Sequence, residues 1–245
     1  LEIMVAALDI GNSTLGLCFF DTEMNDDFIA HHNWPHPQWR ALLPDLLARF
    51  NPREAVISSV SGSWLPEIIS ILEKQEIKFH LVSLEPSLAV DFSLYSKELG
   101  PDRIATALGG ASAYSDPLCI VDMGTATTLS LIARKCYQGG LIMPGITTMF
   151  SSLYDAAHAL PLLNLSGLPQ RILGLNTKDN IEQGIFHLTQ FGLSGILREL
   201  RLEYSGLYVV GTGGWSVFFS HLYDFIDPKL IFKGLRAYYL RTCRP

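Results

Sequence analysis

Asp9-Ile10-Gly11-Asn12-Ser13-Thr14 and Asp122-Met123-Gly124-Thr125-Ala126-Thr127-Thr128 are the two stretches on which the fold turns. Each closes an apolar run, Ile3-Met4-Val5-Ala6-Ala7-Leu8 before the first and Leu118-Cys119-Ile120-Val121 before the second. Each opens a second apolar arm, Leu15 to Phe20 and Leu129 to Ala133. A continuous apolar run ended by turn residues predicts a strand buried on both faces. Both stretches therefore read as hairpins built around an Asp-x-Gly turn. The two aspartates lie 113 positions apart in a chain of 245 residues. That spacing predicts an internal duplication, with an N-terminal domain over residues 1–115 and a C-terminal domain over residues 116–245.

Outward from these turns, strands and helices alternate. Trp39 to Phe50 carries Leu42, Leu43, Leu46, Leu47 and Phe50 at helical spacing, and Trp64 to Leu72 reads as a second helix. Ala55 to Ser59 and Lys78 to Val82 read as strands. Gly100-Pro101 precedes a small-residue helix from Asp102 to Tyr114. In the second half Gly139 to Gly145 is a turn-bounded strand. Lys178 to Leu202 has apolar residues at helical steps, interrupted by Gly192 and Gly195. Leu207 to Val210 is a strand running into Gly211-Thr212-Gly213-Gly214. Leu230 to Phe232 reads as a last short strand before a C-terminal helix. The alternation predicts an α/β fold.

Composition excludes several classes. Hydrophobic residues make up 48% and charged residues 17%, which is not the balance of a disordered chain. The formal net charge is −6, against the basic stripe of a general nucleic-acid binder. Four cysteines, with no CxxC pair, are too sparse for a disulfide scaffold and fit a reducing cytosol. No signal-peptide pattern opens the sequence. The most apolar window, Gly206 to Ile226, contains four glycines, His221 and Asp224, so it predicts no membrane span. A cytoplasmic globular protein is expected.

No P-loop, no Gly-x-Gly-x-x-Gly after a strand and no His-Glu-x-x-His occurs. His31, His32 and His36 cluster near Trp34 and Trp39 and read as a polar loop rather than a metal site. The Asp-x-Gly turns carry more. A carboxylate at the end of a buried strand loses water and requires a cation or hydrogen bonds in compensation. The following glycine lets the backbone approach a ligand. Neighbouring Asn12, Ser13, Thr14, Thr125, Thr127 and Thr128 add neutral donors suited to phosphate oxygens. A single such turn is better explained by hairpin shape; a pair, followed by Gly211-Thr212-Gly213-Gly214 after a strand, points to a phosphate-bearing ligand. Gly100-Pro101-Asp102-Arg103 has two readings. Pro101 and Asp102 suit the first turn of a helix. Alternatively, Asp102 accepts a proton while Arg103 clamps an anionic substrate.

Together these residues resemble the type III pantothenate kinases, within the acetate/sugar kinase, heat-shock-70 and actin superfamily. The resemblance runs from Asp9 to Leu235. Asp9 to Ser13 resembles the first phosphate motif, Gly100 to Arg103 a Gly-x-Asp-Arg motif, and Asp122 to Thr128 the second phosphate motif. Gly139-Gly140 through Pro144-Gly145, Asn176-Thr177, Thr212-Gly213-Gly214 and Lys233-Gly234-Leu235 follow in order.

The resemblance implies two duplicated actin-like (ribonuclease H-like) domains with an interdomain cleft. It implies ATP-dependent phosphorylation of the primary hydroxyl of pantothenate, the first step of coenzyme A biosynthesis, with Asp102 as general base. It assigns ATP to Asp9, Ile10, Gly11, Asn12, Ser13, Thr14, Leu15, Gly16, Thr125, Thr212, Gly213 and Gly214. It assigns pantothenate to Gly100, Pro101, Asp102, Arg103 and Thr177. Thr177 reaches the substrate from the partner subunit of a homodimer. Mg²⁺ with ATP is expected near Asp9, and a monovalent cation, K⁺ or NH₄⁺, at Asp122. No nucleic acid or membrane partner is implied. The family's substrate-contacting Tyr falls here on Ser93, with Tyr95 the expected replacement, and an Asp after the second phosphate motif falls on Ser130. The competing readings are a non-catalytic accessory or regulatory relative, and a kinase of another small hydroxy acid.

Overall fold

A computed structural model of the chain describes residues 3–23, 28–35, 38–95, 98–157, 159–165, 167–169 and 171–243. Two compact units result: Leu1–Tyr114 with Lys135–Tyr137 and Lys229–Pro245, and Ser115–Arg134 with Gln138–Pro228. The division is thus not a single cut at 115/116. The C-terminal helix and a three-residue turn segment pack with the first unit.

The first unit holds β1 (Met4–Ile10), β2 (Thr14–Asp21), β3 (Phe28–Pro35), α1 (Trp39–Phe50), β4 (Glu54–Ser59), α2 (Leu65–Lys74), β5 (Lys78–Leu81) and α3 (Pro101–Ala113). Its five strands lie in the order β3-β2-β1-β4-β5. The β1–β2 and β2–β3 pairs are antiparallel, and β1–β4 and β4–β5 are parallel. Val5, Ala6, Ala7 and Leu8 are fully buried, as an apolar strand covered on both faces must be. Ala6, Leu8, Ile10, Leu15 and Leu17 pack with Trp39, Leu43, Leu47, Ile68 and Leu72 into one core.

The second unit holds β6 (Leu118–Met123), β7 (Ala126–Ala133), β8 (Cys136–Pro144), α4 (Ile146–Ala156), α5 (Thr177–Glu203), β9 (Tyr208–Thr212), a 3₁₀ segment (Ser216–Leu222) and β10 (Phe225–Ile226). Its strand order is β10-β9-β6-β7-β8. Here too the first hairpin pair, β6–β7, is antiparallel, and β6–β9 and β9–β10 are parallel. Replacing β6 to β10 by β1 to β5 reproduces the first sheet, which is the duplication expected from the paired turns. Val121, Met123, Phe150, Ile185, Phe186, Leu193, Leu197, Val209 and Phe219 form its core. The β7–β8 turn places Arg134 (φ 55) and Lys135 (φ 57) both in the left-handed region, as a two-residue hairpin turn demands.

Three local readings are corrected. Phe28–Pro35 is an edge strand, not a loop, so His31 and His32 sit in a sheet; His36 lies outside the described residues. His32 stacks on Trp34 with ring centroids 5.1 Å apart, and no metal-binding group of three exists among the described residues. Leu230–Thr242 is one helix, α6, rather than a strand followed by a helix. Leu230, Phe232, Leu235, Tyr238 and Tyr239 are its buried face, a helical repeat that three residues alone cannot reveal. Finally, α5 runs unbroken through Gly192 and Gly195, where no atom lies within 4 Å of an added Cβ.

The packing of α6 on α3 explains Gly234. A Cβ there would collide with the carbonyl oxygen of Ala105, and one on Gly109 with the backbone of Leu230 and Gly234. The Lys233-Gly234-Leu235 motif is a helix-crossing point, where only hydrogen fits.

Candidate active site

Asp9 is the penultimate residue of β1. Its register partners are Gly16 on antiparallel β2 and Ser58 on parallel β4. Gly16 is needed there: a Cβ would sit 2.9 Å from the Phe232 ring and 3.6 Å from the Asp9 Cβ. The turn is closed by the Gly11 N–H donating to the Thr14 carbonyl at 2.9 Å, and Asn12, Ser13 and Thr14 are exposed at its tip. Ser58 is fully buried and its hydroxyl has no hydrogen-bond partner among the described residues.

Asp122 repeats the arrangement on β6, with Thr128 on β7 and Thr212 on parallel β9 as register partners. Each aspartate therefore stands beside a hydroxyl residue on the neighbouring parallel strand. Ser58 is the residue that motif reading missed; its signal is the hydroxyl pair Ser58-Ser59 at the end of the second parallel strand, matching Thr212. Gly213, at φ +83, wraps the Asp122 carboxylate so closely that a Cβ would lie 2.5 Å from Oδ1 and 2.6 Å from both the N and the O of Met123. Gly214 faces open space and is exposed. Thr125 is exposed, and its carbonyl accepts from the Gly145 N–H at 3.1 Å and the Thr148 hydroxyl at 2.6 Å.

The third cluster lies at the start of α3. Gly100 is the N-cap and Pro101 the first helical residue, as expected. A Cβ on Gly100 would meet Asp102 Oδ1 at 2.5 Å, so a larger residue there would displace the carboxylate. The Asp102 carboxylate accepts the Arg103 N–H at 2.9 Å. Burial pushes its carboxyl above the ordinary aspartate value, while that hydrogen bond and the charge of Arg103 pull the other way. At Asp102 desolvation therefore outweighs the helix terminus, which would favour the ionised form.

Arg103 is only 6% exposed. Its Nη2 donates to the Tyr137 hydroxyl at 2.6 Å and its Nη1 to the Tyr95 hydroxyl at 3.3 Å. Both rings also lie near its charge, at 5.3 Å for Tyr95 and 5.8 Å for Tyr137. Burial lowers the guanidinium pKa, but the two phenols outweigh it, so the net direction is up. Tyr95, rather than position 93, brings a tyrosine to Arg103; Ser93 is exposed and its N–H is tied to Asp91.

Thr177 is the first residue of α5, exposed, after the N-cap Asn176, whose side chain accepts the Asp179 N–H at 2.9 Å. It lines a surface pocket of about 420 Å³ in the second unit with Leu153, Leu160 and Ile181. The expected residues thus fall into three clusters, with Thr177 belonging to the second unit and Asp102 to the first.

For Mg²⁺, the described residues supply no three-ligand cage. Asp9, at the end of β1, is a carboxylate that could hold a hydrated Mg²⁺ whose other oxygens come from phosphates. For a monovalent cation, the Asp122 carboxylate in the Gly213 turn offers the oxygen donors such an ion requires.

A duplicated α/β fold of this strand order, with Asp at the end of the first strand of each half, is an actin-like fold. The type III pantothenate kinase model matches residues 5–199. Curated relatives with that name include one from Geobacillus kaustophilus, 32% identical over 96% of this chain and 97% of the relative. Another, from an Exiguobacterium species, is 30% identical over 98% and 99%. Among solved structures, a conserved protein from Campylobacter jejuni, described as of the Baf family of transcriptional activators, aligns with a TM-score of 0.60 at 22% identity over 96% of each chain. The ethanolamine utilization protein EutJ from Carboxydothermus hydrogenoformans aligns at 0.54 and 13% identity, over 97% of this chain and 89% of that one. These two likenesses concern the fold. The chain belongs to the type III pantothenate kinase family.

Proposed function

We propose that this kinase transfers the γ-phosphoryl group of ATP to the primary hydroxyl of pantothenate, the first step of coenzyme A synthesis, in the cytoplasm. The observation that carries the reading is the Asp102–Arg103 pair: a desolvated carboxylate beside a buried guanidinium held by two phenols. Pantothenate presents a hydroxyl to deprotonate and a carboxylate to bind, which is the complement of that pair.

In this reading Asp102 accepts the hydroxyl proton as the oxygen attacks phosphorus. Its raised pKa makes it a stronger base than an exposed aspartate, closer to the value that suits general-base work near neutrality. Arg103, with Tyr95 beside it and Gly100 and Pro101 shaping the helix start, binds the carboxylate. The Asp9–Gly16 turn, Thr125, Thr212, Gly213 and Gly214 hold ATP. Phosphoryl transfer demands positioning and charge neutralisation more than covalent chemistry from the protein. Bound with ATP, Mg²⁺ supplies that neutralisation, with Asp9 as its carboxylate partner and a monovalent cation at Asp122 adding to it.

A homodimer completes the reading, with Thr177 reaching the partner's substrate. Its support is the composition of α5: Ile181, Ile185, Phe186, Leu193 and Leu197 fill the core, while Leu188 (67% exposed), Phe191 (56%) and Leu202 (77%) remain outside. The direct test is ATP consumption by purified protein in K⁺ buffer with and without pantothenate. Pantothenate-dependent consumption is expected. Its absence points instead to an accessory relative, and consumption with another hydroxy acid alone to a different acceptor.

A further inference from the structure

Tyr137 is fully buried, yet it belongs to the three-residue segment Lys135–Tyr137 that packs with the first unit between two stretches that do not. Its backbone N–H donates to the Asp91 carbonyl at 2.8 Å, and the Asp91 N–H donates back to the Lys135 carbonyl at 2.9 Å. Phe92 packs on its ring at 5.5 Å and Tyr95 meets it edge-on at 5.4 Å. These contacts leave the phenol fixed. Its oxygen receives Arg103 Nη2 at 2.6 Å, a short charge-assisted bond, whereas the half-buried Tyr95 receives Nη1 at 3.3 Å.

A buried guanidinium is costly unless an anion or a full set of acceptors meets it. Here two neutral phenols take two of its five N–H bonds. Nε is buried with no partner among the described residues. The Tyr137 hydroxyl thus fixes the rotamer of a buried guanidinium that still has unmet donors. We propose that Tyr137 is a positioning residue. It sets the Arg103 guanidinium for the carboxylate of the acceptor substrate and touches no reacting atom itself. This rests on the functional reading above, in which Arg103 binds that carboxylate.

The test compares pantothenate with its neutral analogue, in which a primary alcohol replaces the carboxylate. Tyr137→Phe is expected to raise KM for pantothenate about tenfold with kcat unchanged, because the loss falls on uniform binding of the carboxylate. The KM for ATP and the kinetics of the neutral analogue should stay within about twofold of wild type, since neither uses the guanidinium. In an Arg103→Leu background, Tyr137→Phe should change nothing further. That comparison also stands if the single variant proves too unstable to purify, because an apolar pair leaves no unmet donor. An unchanged pantothenate KM, equal weakening of both acceptors, or a further loss on top of Arg103→Leu each overturns the proposal. A wild type that turns over neither acceptor is a different result: it removes the functional reading, and this positioning role with it.

Discussion

Adjacent glycines in the turn after β9 should respond in opposite ways to the same substitution. Gly213 stands at φ +83, and a Cβ on it would lie 2.5 Å from Asp122 Oδ1 and 2.6 Å from two backbone atoms of Met123. The left-handed conformation costs an alanine roughly 1–2 kcal/mol. The overlap adds about 1–3 kcal/mol, since Met123 belongs to the central strand and cannot swing aside. Gly213→Ala should therefore lose about 2–5 kcal/mol, a fall of about 10–20 °C in the melting of the second unit. Gly214 has no atom within 4 Å of an added Cβ, so Gly214→Ala should melt with wild type, or slightly higher through lost unfolded-state entropy. Its defect belongs elsewhere, in a raised KM for ATP, because the open face of Gly214 is where the nucleotide comes closest in our reading. Scanning calorimetry of the unliganded protein and ATP titration at saturating pantothenate read the two effects separately. Equal melting of the two variants, or an unstable Gly214→Ala, would refute the contact argument.

Asp102→Asn is expected to cut turnover by about a hundredfold or more while ATP still protects against thermal unfolding; turnover within about threefold of wild type would leave Asp102 a helix-start residue only. Because burial raises the folded pKa of Asp102 above its unfolded one, the native state binds that proton more tightly. Wild-type stability relative to Asp102→Asn should fall as pH rises from the ordinary aspartate range through the raised value, and denaturation midpoints that track each other across that window contradict the shift. Rates should be nearly abolished when Na⁺ replaces K⁺, and Asp122→Ala should be slow in either salt; equal rates in the two salts count against a cation at Asp122. Co-refolding Asp102→Asn with Thr177→Arg in equal amounts should restore roughly a quarter of wild-type activity if one subunit's Thr177 serves the other's Asp102. No recovery, with mixed dimers confirmed by mass, excludes the shared site.

The parts of the fold legible in the sequence are those in which one short stretch carries both burial and turn chemistry. Both Asp-x-Gly hairpins qualify, as does the Gly100-Pro101-Asp102 helix start. Each shows an apolar run or helix-start residue next to the punctuating glycine or proline. The edge strand β3 did not, because its alternation is diluted by His31, His32 and Asn33; only Trp34 is buried. The start of α6 did not, because Leu230-Ile231-Phe232 suits a strand and a helix equally until Tyr238 and Tyr239 are included. Gly192 and Gly195 lower helix propensity by about 1 kcal/mol each, yet tertiary packing through Leu193 and Leu197 overrides that. Within the candidate site, Tyr95 was within reach of sequence because it lies near the motif. Tyr137 was not: it is 34 positions from Arg103, and only the fold brings the two together.

The duplication itself shows where chemistry was added. Both halves keep the same strand order, an aspartate at the end of the first strand, and a hydroxyl residue, Ser58 or Thr212, beside it. Turns of that kind suit phosphate oxygens and cations, which the reaction requires in more than one place. The helices that follow the fifth strands are not alike. The first, α3, opens with Gly100-Pro101-Asp102-Arg103, whereas α6 opens with Leu230-Ile231-Phe232-Lys233 and has no acid in its first turn. At the corresponding place, α6 buries Phe232 where α3 carries Arg103, and its glycine, Gly234, serves a helix crossing rather than a carboxylate contact. In the proposed reading, the base, the anion-binding arginine and the tyrosines around it therefore occur in one copy only. On that reading a repeated element grips what is common to every phosphoryl transfer, and the unrepeated helix start recognises the acceptor. Damage to a repeated turn should thus disturb ATP or cation use, and damage around Asp102 should disturb the acceptor, with little exchange between the two classes of defect.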